Sequence, residues 1–375
     1  MDILLELFRQ SGLASLGLGN VAMFGIAGLL IYLAITRGYE PLLLIPIGFG
    51  AILANLPLAN MGSYADGIMG VIYDAGIRTE LLPPLIFMGV GVLTDFRPLL
   101  ARPLTFLLGA AAQIGIFVAA LSAFYLLGFS AQEAASIGII GGADGPTSIF
   151  ITIQLAPHLL GPVAVAAYSY MSLVPIIQPP IIRLLTTRRE RAIDMPQARP
   201  VSKATVILFP IITGIVASLA VPSAAPLLGL LMFGNLLRES GVTERLKKTA
   251  GGPMIDIVTI LLGLVVGGTM GAENFLTRQT IMILVLGAVA FAFSTAGGIL
   301  FAKLLNLFLA DGRRINPCIG AAGVSAVPMS ARVVQQFVSE ETRGRVNPLM
   351  PAMGPNVAGV VGSAVTAGVF LALLG

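Results

Sequence analysis

"IGIIGGADGPTSIF", residues 137–150, holds one ionisable side chain, Asp144, with Gly141, Gly142, Gly145 and Pro146 crowded around it. Glycine weakens a helix by about 1 kcal/mol and proline by about 3 kcal/mol relative to alanine. The run therefore predicts a helix broken at the carboxylate. Inside a membrane, freed backbone groups are tolerated only where protein or water surrounds them. A carboxylate at that depth is a functional residue by default. The competing role, capping a half-helix after a glycine turn, could be filled equally well by Ser or Asn.

The rest of the chain supplies the membrane. Of 375 residues, 56% are hydrophobic and only 11% charged, with a mean hydropathy of +0.93. Soluble domains carry about 25% charged residues, so this chain cannot cover a globule with polar surface. Apolar stretches recur at 18–36, 41–58, 81–94, 103–128, 131–155 and 161–185, then at 204–220, 224–237, 253–272, 280–310, 317–337 and 346–375. Several approach the roughly 20 residues that span a bilayer. The first residues, "MDILLELFRQSG", read as an amphipathic segment, residues 1–17, lying at the interface, with no cleavable signal pattern. Cys318 is the only cysteine and His158 the only histidine, so neither an internal disulfide nor a His/Cys metal motif is available. The net charge of +4 is spread between apolar spans, which suits cytoplasmic loops rather than nucleic acid.

The two halves repeat. "IGIIGGADGPTSIFITIQ" (137–154) and "IGAAGVSAVPMSARVVQQ" (319–336) match at six positions with an offset of 182, among them Gly138/Gly320, Gly141/Gly323 and Pro146/Pro328. Phe49-Gly50 and Phe233-Gly234 match at an offset of 184. The expected organisation is a first transmembrane repeat at 18–185, a basic cytoplasmic loop at 186–203 and a second repeat at 204–375. Arg188, Arg189, Arg191, Arg199 and Lys203 place that loop inside. If 131–155 and 317–337 are broken, re-entrant elements, most remaining arginines also fall inside, with Arg78 and Arg278 as exceptions. Each half then crosses five times, and the second is inverted relative to the first. The expected fold is all-α and polytopic, with about ten transmembrane helices plus two broken elements. Paired broken helices in inverted repeats put an ion site near the midplane.

Alkali cations need hard oxygen ligands: carbonyls, hydroxyls and a carboxylate. Asp144, Thr147 and Ser148 offer them in the first broken element, and Ser325 and Ser330, beside Asn316, in the second. A lone buried carboxylate needs a proton or a cation as partner, so Asp144 can exchange H⁺ for Na⁺. Arg332 cannot shed its charge; it either snorkels to the interface or receives a substrate carboxylate. Tyr170, in "YSYMSLVPIIQPP", brings a phenol that can donate a proton, though such a residue also serves as a packing aromatic.

Together "GGADGPTS", "AAYSYMSLVPIIQPP", "NPCIGAAGVSAVPMSARV" and "GPNVAGVVGSAV" resemble the membrane β subunit of biotin-dependent sodium-translocating decarboxylases, the oxaloacetate, methylmalonyl-CoA and glutaconyl-CoA enzymes. The resemblance covers most of the chain. It implies that a carboxyltransferase α subunit loads CO₂ onto biotin and that a biotin carrier presents the carboxybiotin to this chain. Decarboxylation then consumes a proton and drives Na⁺ outward. The family's essential residues fall on Asp144, Tyr170, Asn316, Gly320, Ser325 and Arg332. The implied Na⁺ ligands are Asp144, Asn316 and Ser325, with Thr147, Ser148, Gly320 and Asn356 nearby; Arg332 would meet the carboxybiotin carboxylate. The resemblance further implies a small single-span γ subunit, a homo-oligomer and a bacterial cytoplasmic membrane. A secondary Na⁺/H⁺ antiporter or Na⁺-coupled carboxylate symporter would use the same residues without biotin, and a mere membrane anchor would not need two polar breaks.

Overall fold

The computed structural model describes residues 6, 10–62, 64, 67–195, 200–310 and 313–375, and every regular element among them is helical. Much of the expected interfacial segment (residues 1–5 and 7–9) and part of the basic loop (196–199) lie outside the described residues. Among the described residues, seven helices are long and apolar enough to cross a membrane: Leu18–Arg37, Thr105–Leu127, Pro157–Leu185, Lys203–Ala220, Glu244–Gly268, Arg278–Asn306 and Leu349–Leu374. An eighth span results if Ile68–Arg78 and Leu82–Leu93, bent by 65°, are one crossing.

The shortfall from ten is a matter of helix length. Pro41–Ala54 has 14 residues and Ala225–Glu239 has 15, so each covers about 21 to 23 Å of a hydrocarbon core about 30 Å thick. The bent segment before Leu82 was not expected, because Gly70, Asp74, Gly76 and Arg78 dilute its hydropathy.

The short helices are held by glycine contacts that occur twice. A Cβ on Gly50 would stand 2.1 Å from the Leu264 carbonyl oxygen, and one on Gly267 would stand 2.0 Å from that of Ile47. In the second pair of helices, Gly234 meets the Met88 oxygen and Gly91 the Leu231 oxygen, both at 2.0 Å. Thus Pro41–Ala54 lies backbone to backbone on Ile255–Gly268, and Ala225–Glu239 lies likewise on Leu82–Leu93. Between apolar helices in lipid, close packing replaces the hydrophobic effect as the source of association, and small residues permit it.

Both broken elements rest on the long helix Arg278–Asn306. The first runs Ala131–Gly138, Ile139–Gly142 and Gly145–Leu155; the second runs Pro317–Gly323 and Met329–Glu341. Gly320 and Gly298 face each other so closely that a Cβ on either would come within 2.1 Å of the other's carbonyl oxygen. Gly115 makes the same approach to Ala290. The C-terminal helix Leu349–Leu374 packs over both interruptions.

Cys318, buried and free, reports unfolding through its reaction with a thiol dye. Gly91→Ala should lower the melting midpoint in detergent by an amount reflecting at least the roughly 1–3 kcal/mol of an overpacked core. An unchanged midpoint would mean that the Gly91–Leu231 contact is not tight.

Candidate functional site

The first break is the turn the sequence predicts. The helix from Ala131 tightens to 3₁₀ at Ile139–Gly142, and Ala143 takes a left-handed conformation with φ 53°. Asp144 is then the N-cap of Gly145–Leu155, accepting from the Thr147 N–H at 3.2 Å. So Asp144 does cap a half-helix, but with only one of its two oxygens.

The other oxygen, Oδ2, accepts from the Ser363 hydroxyl at 2.7 Å, across 219 residues of sequence. The Ser325 hydroxyl donates to Ser363 Oγ at 3.2 Å, and the Ser325 N–H donates to the Gly142 carbonyl at 2.8 Å. The carboxylate, two hydroxyls and the backbone of both breaks thus form one hydrogen-bonded unit, with Asp144 only 6% exposed. Hydrogen bonds linked in such a chain polarise and strengthen one another. Ser148 donates its hydroxyl to the Asp144 carbonyl at 2.8 Å. The Thr147 hydroxyl is buried with no hydrogen-bond partner among the described residues.

Asn356 holds the second break open. Its Nδ2 lies 3.0 Å from the Ala322 carbonyl, 2.7 Å from that of Val324 and 3.5 Å from that of Ala326. Gln178 does the same from the other side, donating to the Ala321 carbonyl at 2.8 Å and to Ser330 Oγ at 2.7 Å. These amides satisfy carbonyls that a continuous helix would consume.

Other predicted residues stand apart from this unit. Asn316 caps Pro317–Gly323, accepting from the Cys318 N–H at 3.1 Å, and its Nδ2 donates to the Arg191 and Ile193 carbonyls. Its side chain is committed to the basic loop. Gly320 serves close packing against Gly298. Arg332 is exposed on Met329–Glu341, in a cleft with Gln335, Gln336, Ser339 and Glu340. The Tyr170 hydroxyl donates to the Leu284 carbonyl.

It is Tyr168, not singled out from the sequence, whose ring covers Gly145 next to Asp144; a Cβ there would fall 2.1 Å from Cε1. Its buried hydroxyl has no hydrogen-bond partner among the described residues. Ser363 was also missed, although it lies within the quoted "GPNVAGVVGSAV". Only the packing of the C-terminal helix against the first break reveals it.

The described start of the basic loop is anchored to its neighbours. Arg191 is buried and donates to Glu341 Oε2 at 2.8 Å and to the Arg183 and Thr186 carbonyls. Glu190 pairs with Lys303 at 3.1 Å. Burial raises the Glu190 pKa, but the Thr187 N–H and the Lys303 ammonium outweigh it and hold the carboxyl below its usual range.

Two interrupted helices meeting at a buried carboxylate, inside a bundle of apolar spans, define a multi-pass membrane protein with an oxygen-rich site in its core. Residues 19–374 match the family model of the Na⁺-transporting oxaloacetate decarboxylase β subunit, and the chain belongs to that family. It is 55% identical to the methylmalonyl-CoA decarboxylase β subunit of Veillonella parvula over 98% of this chain and 97% of the relative. It is also 55% identical to the glutaconyl-CoA decarboxylase β subunit of Acidaminococcus fermentans, over 99% and 98%. Identity to the oxaloacetate decarboxylase β chain of Klebsiella pneumoniae is 47% over 99% of both chains.

Asn356→Leu removes the donor shared by these buried carbonyls. It should destabilise the chain by about 1–3 kcal/mol, read as a lower thiol-dye melting midpoint. A variant that melts with the wild type would show that water satisfies those carbonyls instead.

Proposed function

We propose that this chain is the part of a sodium-pumping decarboxylase in which carboxybiotin, presented by a biotin carrier, loses CO₂ while Na⁺ leaves the cell. The observation that carries the reading is the single hydrogen-bonded unit of Asp144, Ser363 and Ser325 at the meeting of the two breaks. It supplies a carboxylate and neutral hydroxyls in a buried interior, the donor set for an alkali cation. Family membership favours a decarboxylase over a secondary transporter.

In the proposed cycle Na⁺ is the cargo. Asp144, Ser325 and Ser363 bind it, with Thr147 Oγ1 in reserve, and Asn356 and Gln178 keep the surrounding carbonyls in place. Arg332, exposed on its helix, meets the carboxylate of the incoming carboxybiotin through its planar fork. Cleavage of the N–CO₂ bond leaves the electron pair on the ureido nitrogen, which takes up one proton as CO₂ departs. We assign delivery of that proton to Tyr170, or a water beside it, while Tyr168 is the phenol that lies next to Asp144. Asn316 acts by anchoring the basic loop to the second break. Moving one charge against 100 mV costs about 2.3 kcal/mol, so CO₂ release must be tied to the outward step.

The proposed topology has ten crossings, counting the two short helices and the bent pair with the seven long spans, plus two re-entrant breaks. Inverted repeats are supported by the matched glycine contacts: Gly50 and Ile47 correspond to Gly234 and Leu231 at an offset of 184. Rocking of a bundle drawn from both repeats, with the Gly50–Leu264 and Gly91–Leu231 contacts kept intact, would open the site alternately. The partners proposed are a carboxyltransferase α subunit, the biotin carrier, a small γ subunit and further copies of this chain, in a bacterial cytoplasmic membrane.

Asp144→Asn keeps the cap and the size of the side chain but removes the charge. The purified complex should melt normally yet lose Na⁺-dependent decarboxylation by at least 100-fold. Wild-type turnover in that variant would refute the assignment. Arg332→Lys should raise the KM for carboxylated carrier with a smaller effect on kcat, since Lys cannot make the bidentate contact; equal kinetics would exclude Arg332 from substrate binding.

A further inference from the structure

Gln113 interrupts a third membrane segment. Thr105–Ala112 and Ile114–Leu127 form one apolar span that pauses at this residue. There the Gln113 N–H turns back to the Ala110 carbonyl at 3.1 Å, and its own carbonyl accepts from Ile116 at 2.9 Å. The side chain is only 4% exposed. Its Nε2 donates to the Gly109 carbonyl at 2.9 Å, whereas Oε1 has no hydrogen-bond partner among the described residues. A buried acceptor left unpaired costs about 1–3 kcal/mol, so an orphan at this depth needs an explanation.

Its position supplies one. The carboxamide lies between two glycines that border the Asp144 site. A Cβ on Gly362 would stand 3.1 Å from Nε2, and one on Gly142 would stand 3.6 Å from Oε1 and 3.1 Å from the Ser363 Cβ. Gly142 is the residue whose carbonyl receives the Ser325 N–H, and Gly362 immediately precedes Ser363. The orphan oxygen therefore sits at the edge of the Asp144–Ser363–Ser325 unit, delivered by a helix outside both breaks.

We infer that Gln113 Oε1 is a ligand of the transported cation, a neutral oxygen that joins the hydroxyls and the carboxylate when Na⁺ occupies the site. This rests on the reading of that site as the Na⁺ site. An amide oxygen is a hard donor of the kind alkali ions take from backbone carbonyls. It adds coordination without adding charge, so the cation is held by one carboxylate and remains releasable. It also couples the site to the interrupted span, so that filling and emptying act on three discontinuous helices at once.

The test is ²²Na⁺ binding to the purified chain in nanodiscs, with thiol-dye melting in Na⁺-free buffer as the control for folding. Gln113→Leu should raise the half-saturating Na⁺ concentration about tenfold, whereas Gln113→Glu, which puts a charged oxygen there, should lower it below the wild-type value. If Asp144→Asn abolishes binding while both Gln113 variants match the wild type, Gln113 is not a ligand and the inference fails. If Asp144→Asn itself binds Na⁺ normally, the underlying site reading fails and this one with it. Should Gln113→Leu not fold, Gln113→Glu decides alone, tighter binding supporting the assignment and an unchanged half-saturation overturning it.

Discussion

The structure depends on one hydrogen bond, from the Ser363 hydroxyl to Asp144 Oδ2. A carboxylate in an apolar interior is expensive unless it is paired or hydrogen-bonded. Here three separate parts of the chain converge to make that possible. The glycine turn exposes Asp144, the C-terminal helix brings Ser363, and the second break brings Ser325. Because Ser325 also donates its backbone N–H to Gly142, a change at the carboxylate is felt in the backbone of both breaks. In the proposed cycle a unit built this way would link Na⁺ occupancy to the relative position of the elements, as a pump requires.

The scaffold around this bond is set by glycine. Gly50, Gly91, Gly234 and Gly267 let short helices lie directly on their partners, and Gly298 and Gly320 bring the second break onto the long central helix. These contacts explain how helices of 14 and 15 residues reside in a membrane protein: each lies backbone to backbone on a partner helix of the bundle. They also leave little freedom for local repacking, so motion is expected to occur between blocks rather than within them.

Much of this was legible in the sequence, and the exceptions have physical causes. The break at Gly141–Pro146 was readable because glycine and proline act locally. The second break was readable because glycine and proline recur there at the spacing of the first. Ser363 and Gln113 were not readable, since each is an ordinary polar residue in a Gly- and Ala-rich helix until a distant element packs against it. The family motifs marked Asn316 and Arg332, but not what they touch: one holds a loop and the other faces a cleft. The bent Ile68–Arg78 segment was hidden by its glycines and charges, which lower hydropathy without preventing a helix.

Charge movement is the most direct test of the central claim, that decarboxylation at this chain drives Na⁺ through the Asp144 site. Proteoliposomes holding the chain and its small membrane partner would be loaded with carboxylated biotin carrier, and ²²Na⁺ flux followed. Flux that requires the carboxylated carrier and is proportional to CO₂ released is the predicted result. Flux driven equally by a Na⁺ or pH gradient, with the carrier inert, would contradict the account and leave a secondary transporter in its place.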